Sequence, residues 1–348
     1  MYEAQSLTNE AEHVAVFQQL IQATRVAQIM HAAAELALPD LIEGGSRSIE
    51  ALAEATCTHE PSLRRLMRAL AAVGVVMLEA DGRFALTPLG ATLRSAAPDH
   101  VRLQARVQLS EPRWRPWGCL VDSIRTGEAA FKQVFGVSDW EYGATNPRFG
   151  GLFDEWMSAM SQRHMEAILA AYDFSRFETL IDVGGGHGHL LEAILRATPG
   201  LRGVLFDQQH VIQRAVEGLT EAGTTGRYGA VGGSFFDAVP RGGDAYLLKS
   251  IIHDWDDQHA LAILRNVSAA LPSGGTLLLI EQVLPERYVL EISQAIADLN
   301  MLVLEQGQER TRAEFSALFA AAGLGLTRVL PTDSEMSILE GKHLVSAF

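Results

Sequence analysis

A glycine-rich stretch at residues 180–191 could hold a nucleoside. It reads Leu-Ile-Asp-Val-Gly-Gly-Gly-His-Gly-His-Leu-Leu, which is typical of a buried strand, a tight turn and a helix start. Gly184, Gly186 and Gly188 let a ligand approach the backbone, and the helix start points N–H groups at it. Asp207 ends the next apolar run, 19 residues after Gly188, where a carboxylate can bind both hydroxyls of a ribose.

The spacing of these glycines separates two classes of nucleoside cofactor. A dinucleotide loop has the pattern Gly-x-Gly-x-x-Gly, which makes room for a pyrophosphate. Here the loop is Gly184-x-Gly186-x-Gly188, and an acid, Asp182, precedes it. That pattern favours a cofactor with a positively charged amino-acid end and no phosphate. We therefore expect S-adenosylmethionine, with S-adenosylhomocysteine as its product; a nicotinamide-dependent oxidoreductase is the first alternative.

A histidine is the candidate acid–base group. His253 follows the apolar run 245–249, so it lies beyond the carboxyl end of a predicted strand, where α/β sheets bind ligands. Its candidate partners are Glu281, which ends the next apolar run, and Glu309 in the loop at 306–310. A carboxylate on one imidazole nitrogen fixes the tautomer and frees the other nitrogen to accept a proton. We expect no metal at this site.

These residues need a sheet to bring them together, and the second half of the chain predicts one. The runs 180–183, 203–207, 245–249 and 276–281 are short and apolar, as expected for buried parallel strands. Helical patterns separate them, which predicts a doubly wound, Rossmann-like α/β domain over residues 176–348.

Residues 1–100 predict a smaller, mostly helical domain. Three helical patterns precede an Asp-Gly hairpin signal at 81–82, which together form a winged-helix pattern. Winged helices often bind DNA, but residues 1–110 hold nine arginines, no lysine and 12 acids, a net charge of −3. Dimerisation through the apolar helices at 14–37 and 61–73 is the preferred interpretation. A regulator that senses the cofactor is the second alternative.

Residues 101–175 predict a helical linker that is rich in aromatic side chains, among them Trp140 and Phe153. Core packing explains most such side chains individually. As a set between two domains, they could also line a pocket for an aromatic acceptor, and we expect this segment to contribute to that pocket.

Composition excludes several classes of partner. The 348 residues carry a net charge of −14, which argues against nucleic acid and anionic membranes. No apolar run is long enough to span a membrane, and the first residues lack the pattern of a secretory leader. The two cysteines, Cys57 and Cys119, fit a reducing compartment, so we expect a cytoplasmic protein.

Taken together, the motifs resemble those of the plant caffeate-type and bacterial natural-product O-methyltransferases, which are class I methyltransferases with an N-terminal dimerisation domain. The similarity runs from Val14 to the C-terminus, which is nearly the whole chain. The matching stretches are Trp140-Glu-Tyr, Asn146-Pro-Arg-Phe, Phe153 with Met157, Asp182-Val-Gly-Gly-Gly, Phe206-Asp, Val239-Pro, Lys249 with His253-Asp-Trp, Glu281 with Leu284-Pro, Asp298-Leu-Asn-Met-Leu and Glu309-Arg-Thr with Glu314-Phe.

The resemblance implies a homodimer that methylates a phenolic hydroxyl of an aromatic natural product in secondary metabolism. It implies that His253 is the general base, that Glu281 and Glu309 flank it, and that Asp254 is an acid beside it. Because a phenol has a pKa of about 10 and histidine about 6.5, we expect the base to take the proton as the oxygen attacks.

The same resemblance assigns contacts with the two ligands. It implies cofactor contacts at Gly184, Asp207 and Lys249, and an apolar contact with adenine at Phe235. Acceptor-pocket positions are Met157, Asn300 and Met301. Ser234 departs from the family, which usually has an acid there; a serine can still hydrogen-bond the adenine amine, but it is neutral and shorter.

Relatives on this scaffold that have lost methyl transfer and catalyse decarboxylation or hydroxylation remain an alternative. Transfer to an acceptor nitrogen is another.

Overall fold

The computed structural model describes residues 10–219, 226–287 and 290–344, and the chain divides into two compact units. The N-terminal unit runs to Arg115 and takes in Thr145–Trp156. The C-terminal unit contains Pro116–Ala144 and the chain from Met157 onward. The helices between residues 101 and 175 are therefore shared between the units, and the predicted domain boundaries at 100 and 175 stay predictions.

The N-terminal unit contains the three predicted helices and the hairpin, with one further short helix between the first two predicted helices. Ser48 caps the helix that begins at Ile49, because its Oγ accepts a hydrogen bond from the Ala51 N–H. Gly74, with φ +80°, follows the next helix. The elements are α1 (Glu10–Glu35), α2 (Leu38–Ile42), α3 (Ile49–Thr56), α4 (Glu60–Ala72), β1 (Val76–Leu78), β2 (Phe84–Leu86), α5 (Pro88–Ala91), α6 (Val101–Gln108) and α7 (Glu111–Trp117).

One face of α1 is exposed although it is apolar. The unit has its own core, in which Met67 and Leu70 are fully buried. Phe17 is 66% exposed and Leu20 is 59% exposed, and Ile21 beside them is similar. Water contact with so much apolar surface is unfavourable, so this face is suited to being covered.

The C-terminal unit is built on one sheet of eight strands. The order is β5-β4-β3-β6-β7-β10-β9, and β8 pairs with the end of β7. Strands β3 to β8 run parallel, whereas β10 is antiparallel to both β7 and β9. The strands are β3 (Thr179–Val183), β4 (Arg202–Asp207), β5 (Tyr228–Gly232), β6 (Ala245–Lys249), β7 (Thr276–Leu284), β8 (Arg310–Thr311), β9 (Leu324–Pro331) and β10 (Met336–His343).

Helices cover both faces of this sheet. Side chains of alternate strand residues enter two separate apolar clusters, with Leu247 in one and Leu248 in the other. Burial on both faces explains why the parallel strands are almost continuously apolar. The remaining helices of the chain are α8 (Leu120–Thr126), α9 (Ala130–Phe135), α10 (Asp139–Thr145), α11 (Pro147–Ala171), α12 (His189–Ala197), α13 (Gln209–Leu219), α14 (Asp257–Ala270), α15 (Ile292–Glu305) and α16 (Arg312–Ala321).

The fold differs from the predicted one at the far side of the sheet. The hairpin of β9 and β10 joins β7 in the antiparallel sense, and these two strands were not among the predicted ones. Strands β9 and β10 contain Gly, Thr, Arg and Lys, so no continuous apolar run marks them. Within the described ranges, no helix has the length and hydropathy needed to cross a membrane.

Candidate active site

The turn between β3 and α12 presents open backbone. Gly184 has φ +73°, and a Cβ there would lie 2.6 Å from Ile251 Cδ1, so this position excludes a side chain. Gly186 has φ +58°, and a Cβ there would meet no atom within 4 Å. The backbone at Gly186 is therefore approachable, and α12 begins three residues later, at His189. The first N–H groups of a helix have no partner within it and can bind a ligand.

Asp207, at the end of β4, braces this turn. Its Oδ2 accepts a hydrogen bond from the Gly186 N–H at 2.9 Å, and its Oδ1 accepts one from the Gln208 N–H at 2.6 Å. A carboxylate offers about four lone-pair directions, so two such bonds leave each oxygen able to accept another. Both oxygens can thus bind the two hydroxyls of a ribose while the turn stays braced, which fits a nucleoside.

Asp182, near the end of β3, is a buried carboxyl with an unpartnered atom. It is 2% exposed, and its Oδ2 accepts no hydrogen bond from a described group. Burial, and then the charge of Asp207, raises the pKa of Asp182 to about 7, while Lys249 opposes the shift. A cationic ligand beside Asp182 would offset that cost, so this carboxyl fits the charge of S-adenosylmethionine.

Three further candidate cofactor residues surround the turn. A Cβ on Gly184 would lie 3.7 Å from Phe235 Cε1, so the Phe235 ring lies against the glycine turn. The Ser234 Oγ accepts a hydrogen bond from the Phe236 N–H at 3.2 Å and so closes a local turn. Lys249 ends β6, and burial lowers its pKa although Glu281 and Asp182 oppose that shift.

His253 lies on a short 3-10 turn, Ile252–Asp254, just after β6. Its Nδ1 is 2.9 Å from Glu309 Oε1 and 3.8 Å from Glu281 Oε2, and its Nε2 is 3.3 Å from Asp254 Oδ1. The short contact on Nδ1 favours the tautomer in which Nδ1 donates its proton to Glu309. Nε2 is then the nitrogen that can accept a proton.

The carboxyl groups change the acid–base properties of this histidine. Burial opposes protonation of His253, but Glu281, Asp254 and Glu309 outweigh it and raise its pKa to about 10. Burial likewise raises the pKa of Glu281 to about 7 and that of Asp254 to about 6. The pKa of His253 thus lies above the ordinary histidine value of about 6.5, and the sequence does not show how tightly three carboxyl groups surround the ring.

Glu281 and Glu309 are themselves held in place. The Glu281 Oε1 accepts hydrogen bonds from the N–H groups of Ile251, at 3.1 Å, and Ile252, at 2.8 Å. The Glu309 N–H donates to Asp298 Oδ1 at 2.9 Å. Glu281 therefore supports the backbone of the histidine turn, whereas Glu309 contacts the ring directly.

The candidate acceptor residues divide between the two units. Asn300 and Met301 lie half-buried on α15, and Met157 lies half-buried on α11. The Trp117 indole N–H donates to Asn300 Oδ1 at 3.2 Å, which leaves the amide NH₂ of Asn300 as a donor. Trp140 is 52% exposed on α10. Phe153 belongs to the N-terminal unit instead, where the Arg113 guanidinium lies 4.6 Å from the centre of its ring.

Two stretches of the chain match sequence families. Residues 117–325 match the O-methyltransferase domain, and residues 18–95 match the O-methyltransferase dimerisation domain. The chain belongs to the O-methyltransferase family. It is an S-adenosylmethionine-dependent O-methyltransferase with the class I fold and an N-terminal dimerisation domain.

Named relatives of this O-methyltransferase include a phenazine O-methyltransferase from Lysobacter antibioticus. It is 44% identical over 94% of this chain and 95% of the relative. The solved structure of a mitomycin 7-O-methyltransferase is 39% identical, covers 96% of this chain and 98% of its own, and has a TM-score of 0.90.

A third relative was solved with both of its ligands bound. It is an O-methyltransferase from neocarzinostatin biosynthesis in complex with S-adenosylmethionine and 2-hydroxy-5-methyl naphthoic acid. That structure is 36% identical, covers 91% of this chain and 96% of its own, and has a TM-score of 0.82.

Proposed function

We propose that this enzyme methylates a phenolic hydroxyl of a fused-ring aromatic natural product, with His253 as the general base. The carrying observation is the imidazole held at 2.9 Å by Glu309 just beyond the carboxyl end of β6. The named relatives act on or bind fused-ring compounds, a phenazine and a naphthoic acid among them, which supports the acceptor class.

Residues of the glycine turn would hold the cofactor. Asp207 would bind the ribose hydroxyls, Asp182 would face the cationic end, and Phe235 would contact the adenine ring. When bound, the cofactor supplies an electrophilic methyl group on a sulfonium. Lys249 lies close enough to both Asp182 and Glu281 to affect their ionisation, so its charge influences the two ends of the site together.

His253 would receive the proton of the acceptor hydroxyl on Nε2 while Nδ1 stays bonded to Glu309. The carboxyl groups raise the pKa of His253 toward that of a phenol, which lowers the free-energy cost of the proton transfer. The same pKa means that the free enzyme holds the imidazole protonated at neutral pH. One proton must therefore leave the cluster before His253 can act as a base, and the rate should rise with pH above neutrality.

A direct assay tests the reaction class. The purified enzyme is incubated with S-adenosylmethionine and with phenols, naphthols, hydroxyphenazines or matched aromatic amines. The masses of the products are measured by liquid chromatography with mass detection. We expect a product heavier by one CH₂ from hydroxylated acceptors and none from the matched amines. Loss of CO₂ or gain of an oxygen atom, without methylation, would support a diverged enzyme instead.

We propose further that the enzyme is a homodimer joined through its N-terminal unit. The match to a dimerisation domain and the exposed apolar face of α1 support this. Light scattering should give twice the chain mass of 37.8 kDa. The double substitution Phe17→Glu and Ile21→Glu should yield monomers, whereas Val231→Glu, on the exposed face of β5, should not.

We also propose that the enzyme is located in the cytoplasm. Both cysteines are free thiols, as in a reducing compartment, which supports the cytoplasm.

A further inference from the structure

A fully buried arginine lies directly behind the turn that carries His253. Arg310 follows Glu309 in the chain and forms part of β8, which pairs with the end of β7. A buried guanidinium is costly unless its N–H groups are bonded and its charge is compensated. The hydrogen bonds of Arg310 therefore indicate which part of the structure it stabilises.

Those bonds grip both ends of the histidine turn. Arg310 Nη1 donates to the carbonyl oxygen of Ile252 at 2.9 Å, and Nη2 donates to that of Trp255 at 2.8 Å. These two carbonyls lie on either side of His253 and Asp254. Arg310 Nε and Nη2 also donate to Asp257 Oδ1, at 3.1 and 2.9 Å, which compensates the charge.

The chain just before Arg310 closes on the same turn. The Gln308 N–H donates to the His253 carbonyl at 2.9 Å, and the Gln308 side-chain amide donates to Asp257 Oδ1 at 2.8 Å. A Cβ on Gly307 would collide with the carbonyl oxygen of His253, so only glycine permits this close approach. The backbone of His253 is thus fixed on one side by Glu281 and on the other by residues 307–310.

We propose that Arg310 is a positioning residue that sets the place of the His253 ring through the two flanking carbonyls, with Asp257 orienting its guanidinium. This inference rests on the proposed role of His253 as the base. Proton acceptance in the transition state depends on distance, and a misplacement of about 1 Å can cost about 100-fold in rate. A lysine keeps the charge but cannot reproduce the planar fork that reaches both carbonyls.

Arg310→Lys is the first test, and Arg227→Lys is its matched control. Arg227 Nη1 also donates to three backbone carbonyls, those of Leu195, Thr198 and Leu201, at 3.0 to 3.1 Å. We expect Arg310→Lys to lower kcat by about 10- to 100-fold, with the acceptor KM and the Kd for S-adenosylhomocysteine within about threefold of the parent. Arg227→Lys should lower the melting temperature and keep kcat.

A second variant keeps the test decisive if Arg310→Lys does not fold. The Asp257 side chain is 67% exposed, so Asp257→Asn should fold. We expect a smaller loss of kcat in the same direction, about three- to tenfold. In both variants, the loss of kcat relative to the parent should become smaller as pH approaches the pKa of the acceptor, because a phenolate needs no base. A loss of stability alone would give a deficit that does not depend on pH in this way.

His253→Ala is measured in the same assay to separate the two proposals. If His253→Ala is slow while the foldable Arg310 and Asp257 variants keep the parental kcat, the positioning role is wrong and the base assignment stands. If His253→Ala keeps the parental rate, the base assignment fails and the positioning role fails with it.

Discussion

The two halves of the active-site edge use carboxyl groups in opposite ways. In the glycine half, at the ends of β3 and β4, Asp207 accepts hydrogen bonds from two backbone N–H groups and keeps lone pairs for a ligand. In the histidine half, Glu281 within β7 and Glu309 just before β8 are buried around the imidazole that follows β6, and they raise its pKa. One half is built to bind, and the other is built to hold a proton at a chosen strength. Substitutions in each half should separate these two properties.

Removal of the imidazole should give the largest effect. We expect His253→Ala to lower the methylation rate by about 100-fold or more, the usual size of a lost proton acceptor. Its affinity for S-adenosylhomocysteine, measured by calorimetry, should stay close to that of the parent, because the glycine half is unchanged. The residual rate should rise with pH as the acceptor ionises.

His259→Ala is the matched control for this variant. His259 also contacts a carboxylate, Asp256, at 2.9 Å, but its side chain is 56% exposed on α14. It should methylate at the parental rate. A parental rate in His253→Ala would place the base elsewhere.

The second effect belongs to the glycine half. Asp207→Ala removes a charged acceptor and the brace on Gly186, so S-adenosylmethionine affinity should fall by about tenfold or more in calorimetry. At saturating cofactor, kcat should recover. Asp207→Asn keeps one acceptor oxygen and should fall between the parent and the alanine variant. Unchanged affinity would mean that this carboxyl does not bind the nucleoside.

The third effect tests the electrostatics of the histidine half. Glu309→Gln removes one of the charges that raise the pKa of His253, so the imidazole should lose its proton at lower pH. The acidic limb of the kcat/KM profile should move to lower pH, and the maximal rate should fall by about tenfold, less than in His253→Ala. A limb that stays in place would show that the limb does not report on His253.

The smallest expected effect is on the stability of the protein, and it concerns Asp182 in the glycine half. The pKa of Asp182 rises on folding from its ordinary value of 3.8 to about 7. Between these values the folded protein binds more protons at this group than the unfolded chain, so its contribution to stability falls as pH rises from 4 to 7. Asp182→Asn should therefore lose less melting temperature than the parent between pH 5 and pH 8. Equal losses would contradict the raised pKa.

The sequence predicted the parts of the fold whose signal is local. The strands β3, β4, β6 and β7 are apolar on both faces because helices cover both sides of the sheet, and runs of this kind are visible without a structure. The hairpin of β9 and β10 was missed because polar residues interrupt the apolar ones along both strands. In addition, its pairing with β7 joins segments that are distant in the chain.

For the site, the sequence predicted residue types and the shared edge but not the hydrogen bonds. His253 and Glu309 are 56 positions apart, and the motifs nevertheless brought them together, as the 2.9 Å contact shows. Arg310 was passed over although it adjoins Glu309, because a charged residue in a loop is usually solvated and nothing local reveals that it is fully buried. The raised pKa of His253 was missed for the same reason, since it depends on three-dimensional distances.

The position of each half within the sheet bears on how the enzyme completes a cycle. Among the described strands, β4 has only β5 between it and one margin of the sheet, whereas β7 lies between β6 and β10. Amide hydrogens near that margin should exchange with solvent sooner than those of β7, because fewer neighbours must separate to expose them. Local opening at the β5 margin would therefore reach Asp207, the proposed ribose ligand at the end of β4, before it reached His253 and its carboxyl groups. Cofactor exchange and the proton acceptor would thus depend on parts of the sheet with different local stability.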